Sequence, residues 1–310
     1  MNPFISICIP AFKRVEYLKR LLDSISMQLF KDFEVIVTDD SDDDSVKGLV
    51  KSYENVFPIK YYKNEIALGT PANWNFAISK ASGEWIKLMH DDDWFFSPES
   101  LDVFSKHTLY KRKFIFSAYY SVSEKTSRKL HKLSSLLRTK ILKAPFILFV
   151  RNVIGPPSVT LMHKSILERY DARLKWRVDI EFYMRILEEE RQFTYVNSPL
   201  INMGMSESQV TQWAINNPKV ELPEGWILLE KYGVASLKDI RVYDAWWRLF
   251  RNMNIRNERQ LLSYVNKNWP AIVLNIIKDM GKLPPAILKV GIFSKFFMGL
   301  SYLKNRSAIN

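Results

Sequence analysis

Gly83-Glu84-Trp85-Ile86-Lys87-Leu88-Met89-His90-Asp91-Asp92-Asp93-Trp94 is the stretch on which the reading of the fold turns. Trp85 to Met89 has strand character and delivers three consecutive carboxylates where a parallel strand would end. Like charges held side by side repel and raise one another's pKa, so such a cluster is usually stabilised by a cation. Carboxylates with water and phosphate oxygens suit Mg²⁺ or Mn²⁺, and the expectation is a divalent metal holding a diphosphate. A solvated acidic turn is the plain alternative.

Outward from this stretch, strands and helices alternate. Phe4-Ile5-Ser6-Ile7-Cys8-Ile9, ended by Pro10, suits a strand buried on both faces. Val15, Leu18, Leu21, Leu22, Ile25 and Leu29 follow at helical spacing. Phe33 to Thr38 is a second strand ending in Asp39-Asp40, a helix resumes over Val46 to Tyr53, and Ile59 to Lys63 is a third strand. Gly69-Thr70-Pro71 opens a helix with Thr70 as N-cap and Pro71 at its first position, and Gly83 is a natural C-cap. Ser97-Pro98-Glu99 repeats the opening signal.

This order predicts an α/β fold with a mainly parallel sheet and helices on both faces. Ligands of such sheets bind outside the carboxyl ends of the strands. Pro10 to Arg14, Asp39-Asp40 and Asp91 to Asp93 all fall on that rim, which weighs against the solvated turn. Beyond it the pattern loosens. Phe114 to Tyr120 reads as a strand, Ser121 to Lys143 as a polar excursion or short helical insert, and Asn152 to Ser158 as a rigid turn. Strand Val159 to His163, a helix opened by Asp179 and a closing strand Phe193 to Asn197 follow.

Composition limits the functions open to the chain. Its 310 residues are 47% hydrophobic, enough for one catalytic domain and a smaller appendage. A single cysteine, Cys8, lies in an apolar strand, which excludes a disulfide framework and a thiolate metal site. The N-terminus lacks the pattern of a signal peptide, and a cytoplasmic location is the expectation. The net charge of +12 implies an anionic partner: nucleic acid, a lipid surface or a phosphorylated substrate.

Four segments in order resemble the motifs of the inverting nucleotide-sugar glycosyltransferases of family 2. They are Ile7 to Arg14, Val35 to Ser41, Ala81 to Ile86 with Asp91-Asp92-Asp93, and Asp179 six residues before Arg185. The resemblance covers roughly residues 4–215 and implies a GT-A fold, a Rossmann-like nucleotide-binding half joined to an acceptor-binding half. It also implies that Pro10, Ala11 and Phe12 line the nucleobase, and that Asp39 or Asp40 takes the imide proton of the base, a charge-assisted bond favouring uracil. Arg14 is expected at the base or the phosphates, and Asn75 at the nucleotide.

The acidic triplet matches the family's metal motif, with His90 in the usual place of the first aspartate. Asp91 is assigned to the ribose or a metal-bound water, Asp92 to the metal, and Asp93 stands as a second metal candidate. Trp74 is another departure, since many relatives carry arginine before that asparagine. Asp179 matches the catalytic base; a helix N-terminus favours its ionised, proton-accepting form. Gly155, Pro156, Pro157, Ser158 and Glu181 are expected on the acceptor side, and Glu207 to Thr211 resembles a segment that closes the donor site.

The domain reading is a catalytic domain over 1–220, with a nucleotide-binding half to about 110 and an acceptor half from about 111, then a helical extension over 221–310. Leu237 to Lys267 reads as two helices whose Trp246, Trp247 and Phe250 form a core stripe. Leu283 to Tyr302 mixes apolar residues with Lys289 and Lys295, a pattern suited to a helix in a membrane interface. The resemblance therefore implies a metal-dependent, inverting hexosyltransferase. It would move a sugar, from a UDP-sugar by expectation, to a lipid-linked glycan of a bacterial surface polysaccharide at the inner face of the membrane. A non-catalytic nucleotide-sugar binder and a basic nucleic-acid binder are the competing readings; the acidic rim, which repels phosphates, speaks against the second.

Overall fold

The computed structural model describes residues 2–123, 128–166, 169–205 and 213–308. The segment Glu207 to Thr211, expected to close the donor site, lies outside the described residues. The chain forms two compact units: Met1–Pro145, Val153–Ala172 and Phe182–Glu207 in the first; Phe146–Asn152, Arg173–Glu181 and Ser208–Asn310 in the second.

The first unit holds a nine-stranded sheet: β1 (Ile5–Ala11), β2 (Phe33–Asp39), β3 (Ile59–Lys63), β4 (Trp85–Leu88), β5 (Trp94–Phe95), β6 (Phe114–Ser123), β7 (Arg128–His131), β8 (Thr160–His163) and β9 (Thr194–Met205). Its order is β3-β2-β1-β4-β8-β6-β9-β5, with β7 on β6. β1, β2, β3 and β4 pair in parallel, and every residue of β1 and β2 is buried, as their largely apolar runs predict. Each fully buried Ile or Val there contributes roughly 1.5–3 kcal/mol.

Past β4 the sheet becomes mixed. β8 runs antiparallel to both β4 and β6, whereas β9 runs parallel to β6. After Tyr120 the chain completes β6 and adds the antiparallel β7, and the short helical insert that the sequence left open is there as helix Ser135–Lys143, capped by the Ser134 hydroxyl. Helix Ala72–Ser79 packs on β1 and β2, Val15–Ser26 on β5, and Ser100–His107 on β9.

Two local expectations need correction. Helix Ala72–Ser79 starts with Pro71 itself at the N-cap and no side-chain cap, so Thr70 does not cap it. Gly83 does not end that helix either, because the C-cap is Lys80. Glycine is required at 83 by close approach: a Cβ there would lie 2.7 Å from the Ser6 backbone nitrogen.

The second unit has an aromatic core. Helix Ile240–Asn252 buries Tyr243, Trp246, Trp247 and Phe250, as the stripe predicts. Trp247 donates its indole N–H to Ser294 and Tyr243 shares a hydrogen bond with Ser301, both on helix Gly291–Asn305.

Candidate active site

The ends of β1, β2 and β4 carry the three polar clusters. At the end of β1, Pro10 and Ala11 are buried and the Phe12 ring that follows is 52% exposed, the only one of the three that offers a face to a base. The turn beyond it is tied to the loop after β2: the Lys13 amide donates to the Ser41 hydroxyl and the Asp40 amide to the Ala11 carbonyl.

Asp39 ends β2 with no exposed surface, and its oxygens accept from the Ser41 amide, the Tyr61 hydroxyl and Lys63. Of the two carboxylates expected at the imide, Asp39 has no surface, whereas Asp40 keeps a little. Asp40 accepts from Asn64 at 2.7 Å, the Leu68 amide at 3.0 Å and the Gly69 amide at 2.8 Å, strapping the loop after β3 to the rim.

Asn75, expected at the nucleotide, spends its amide on backbone. It donates to the Tyr170 carbonyl at 2.8 Å and accepts the Tyr170 N–H at 3.0 Å, so it clamps that segment.

The acidic loop after β4 has three kinds of partner. Arg14 grips Asp91 through Nε and Nη2 and reaches Asp92 through Nη1 at 3.1 Å. Arg20 donates to the Asp92 carbonyl at 2.8 Å while its guanidinium stacks 3.7 Å over Trp94. Below, Gly204 of β9 donates its amide to Asp93 at 3.0 Å, and a Cβ at 204 would lie 2.3 Å from the Asp92 carbonyl oxygen.

Ser158 was expected on the acceptor side; its hydroxyl instead accepts the His90 amide at 2.9 Å, with no surface exposed. Its carbonyl and that of Thr160 accept from Lys87, a fully buried lysine of β4. Gly155 occupies a left-handed conformation (φ +114°) against the Tyr119 ring, and its carbonyl accepts from Tyr183. Pro156 and Pro157 lead from it into the short 3₁₀ turn Pro157–Val159, so this motif supports the acidic loop through Ser158.

Ligating atoms of His90, Asp92 and Asp93 lie within 4.8 Å of one another. His90 Nε2 and one Asp93 oxygen, Oδ2, are buried with no hydrogen-bond partner among the described residues. Two orphaned acceptors beside a second carboxylate, Asp92, fit a divalent cation, since such atoms are otherwise costly to bury. Asp91 is spoken for by Arg14. Burial pushes Asp91 up to about 7 against the pull of Arg14; burial and the neighbouring Asp92 push Asp93 well above the carboxylate range. Burial also lowers His90 to about 4, which keeps its imidazole neutral and able to donate a lone pair.

Asp179 belongs to the second unit, in the first turn of helix Val178–Glu190. The approach to that turn is held by buried Glu224, whose carboxylate accepts the amides of Lys175, Trp176 and Arg177 at 2.6, 2.9 and 2.7 Å. Burial raises Asp179 to about 6, although the Ile180 amide and the Asn152 side chain, 2.8 and 2.7 Å away, favour its charged form. Glu181 corrects the acceptor-side expectation. It has no exposed surface and is paired with Lys231 at 2.8 Å and Tyr232 at 3.2 Å.

Residues 6–171, more than half of the chain, match the model of "Glycosyl transferase family 2". Over 93 residues the chain is 37% identical to the GalNAc(5)-diNAcBac-PP-undecaprenol beta-1,3-glucosyltransferase of Campylobacter jejuni, a match that takes in 29% of the chain and 30% of that protein's length. It is 25% identical to the putative colanic acid biosynthesis glycosyl transferase WcaA of Escherichia coli over 84% of the chain and 96% of that protein. Among solved structures, Staphylococcus aureus TarS 1-349 in complex with UDP-GlcNAc superposes with a TM-score of 0.60 at 15% identity, covering 97% of the chain and 92% of TarS 1-349.

Proposed function

The chain belongs to glycosyl transferase family 2, and on that premise we propose that it transfers a sugar from a UDP-sugar to a hydroxyl of a lipid-linked glycan, with inversion. The observation that carries the reading is the cluster of His90, Asp92 and Asp93 at the carboxyl end of β4, with orphaned buried acceptors beside the Arg14 guanidinium. The undecaprenol-linked compound in the name of the Campylobacter relative and the UDP-GlcNAc bound to TarS support the acceptor and donor classes.

His90, Asp92 and Asp93 would hold a divalent cation, and the chemistry such an ion would supply there is Lewis-acid stabilisation of the departing diphosphate. Phe12 offers a ring face to the base and Asp40 an acceptor for its imide, while Arg14 brings a guanidinium suited to phosphate oxygens. Asp179 takes the proton from the acceptor hydroxyl as that oxygen attacks the anomeric carbon, and the sugar–phosphate bond breaks on the opposite side. Support for Asp179 comes from its match to the family base and from a raised carboxyl, which makes it a better proton acceptor once ionised.

The enzyme acts, in this reading, at the inner face of the membrane. None of the helices among the described residues is long and apolar enough to cross a bilayer. Helix Gly291–Asn305 turns Ser294, Met298, Ser301 and Asn305 inward and leaves Ile292, Phe293, Phe296, Leu300 and Leu303 exposed. At 3.6 residues per turn those five fall within an arc of about 100°, and Lys295 and Lys304 flank it on either side. That is the layout of a helix seated in an anionic interface.

Calorimetric titration of UDP, with and without Mn²⁺, into the wild type and Asp92→Asn tests the donor site. Metal-dependent binding abolished by the substitution is expected, followed by transfer from a UDP-sugar to an undecaprenyl-diphosphate-linked acceptor. Failure of UDP, GDP and dTDP to bind under either condition overturns the reading.

A further inference from the structure

Two departures from the family pattern, His90 and Trp74, meet in space. Their ring centroids are 4.6 Å apart, and Trp74 is in turn held edge-on by Tyr170 at 5.2 Å. The Ser158 hydroxyl fixes the His90 backbone, and Trp74 covers one face of the imidazole. The ring thus sits at the acidic loop with Nε2 buried and without a partner among the described residues, next to Asp93, whose Oδ2 is likewise unpartnered and whose residue is 1% exposed.

We propose that His90 is a nitrogen ligand of the site, so that His90, Asp92 and Asp93 form a mixed nitrogen and oxygen set that selects Mn²⁺ or Co²⁺ over Mg²⁺, with Trp74 holding the imidazole in place. Imidazole suits borderline transition metals, whereas Mg²⁺ favours an all-oxygen, largely hydrated octahedron. Trp74 is a positioning residue: it contacts the ligand and does not bind the ion, and groups behind a metal ligand typically govern affinity by about 10–100-fold. The proposal rests on the donor-site reading above but needs no turnover to be tested.

The test is pulsed electron paramagnetic resonance on Mn²⁺ bound to the full chain, with histidine labelled by ¹⁵N, with and without UDP. It is paired with calorimetric Mn²⁺ and Mg²⁺ affinities of the wild type, His90→Asn and Trp74→Leu. A histidine-nitrogen coupling should appear in the wild type and vanish in His90→Asn. Mn²⁺ affinity should fall at least about tenfold in His90→Asn while that for Mg²⁺ changes little, and Trp74→Leu should keep the coupling with a weaker Mn²⁺ affinity. Far-ultraviolet circular dichroism checks that both variants are folded, and the wild-type spectrum stands without them. Mn²⁺ and UDP binding with no nitrogen coupling overturns this proposal and leaves the donor site intact. Nitrogen coupling without binding of any nucleotide supports the proposal and overturns the functional reading instead.

Discussion

Arg14 and Asp91 are joined by two parallel hydrogen bonds, Nε to Oδ2 at 3.2 Å and Nη2 to Oδ1, although the turn after β1 and the loop after β4 lie far apart in sequence. Asp91 is 2% exposed, so removing the guanidinium strands a buried carboxylate. Arg14→Ala is expected to cost about 3 kcal/mol or more in urea unfolding. Arg14→Lys should recover part of that, since it restores the charge but not the fork.

With Asp179 as the proposed base, its carboxyl would set a pH limit on turnover. Its carboxyl is held up at about 6, so it is protonated and unable to accept a proton below that value. The profile of kcat/KM should therefore rise as pH increases through about 6. Asn152→Ala, which removes a donor to the charged form, should move this limb upward. Asp179→Asn should lower kcat by about 10²–10⁴-fold with the UDP affinity unchanged. An unchanged kcat removes Asp179 from the mechanism.

Glu34 links β1, β2 and the turn before β4. Burial alone would raise its carboxyl, but Lys60, the Ser82 hydroxyl and amide and the Ser6 hydroxyl outweigh it and hold Glu34 down to about 2. A depressed carboxyl stabilises the fold above its ordinary value near 4.5, and that contribution is lost as pH falls toward 2. Urea midpoints of the wild type should drop over this window, and Glu34→Gln should flatten the slope.

Gly204 and Gly83 separate site from scaffold. A Cβ at either would press on backbone, at Asp92 in the one case and Ser6 in the other. Both alanine variants should lose roughly 1–3 kcal/mol of stability. Only Gly204→Ala should also weaken Mn²⁺·UDP binding, and equal losses in the two would remove the distinction.

The exposed arc of the last long helix makes a separate claim. The full chain should sediment with vesicles rich in phosphatidylglycerol and less so with neutral ones. Phe293→Ser/Phe296→Ser should release it, while Lys295→Gln/Lys304→Gln should chiefly weaken the binding at low salt.

The parallel half of the sheet was legible in the residues because strands buried on both faces read as mostly apolar runs, Ile5 to Ile9 and Phe33 to Val37 among them, interrupted only by Ser6 and Glu34. The antiparallel placement of β8 between β4 and β6 left no such mark, since pairing between distant segments has no local period. At the site, the acidic loop was plain and its surroundings were not. Ser158 read as part of an acceptor turn, and only the fold shows it supporting His90. Lys87 did leave a signal, a lone ammonium in a buried strand just before three carboxylates, which the periodicity alone could not interpret.

The amide of Gly204 that completes the environment of Asp93 has a consequence for how the protein is made. The segment matched by the family model ends at 171, and the acidic loop is synthesised more than a hundred residues before its last donor emerges. A nascent chain can pair β1, β2, β3 and β4 early, as the domain folds from its N-terminus. Its acidic loop stays without that donor until β9 has left the ribosome and docked beside β6.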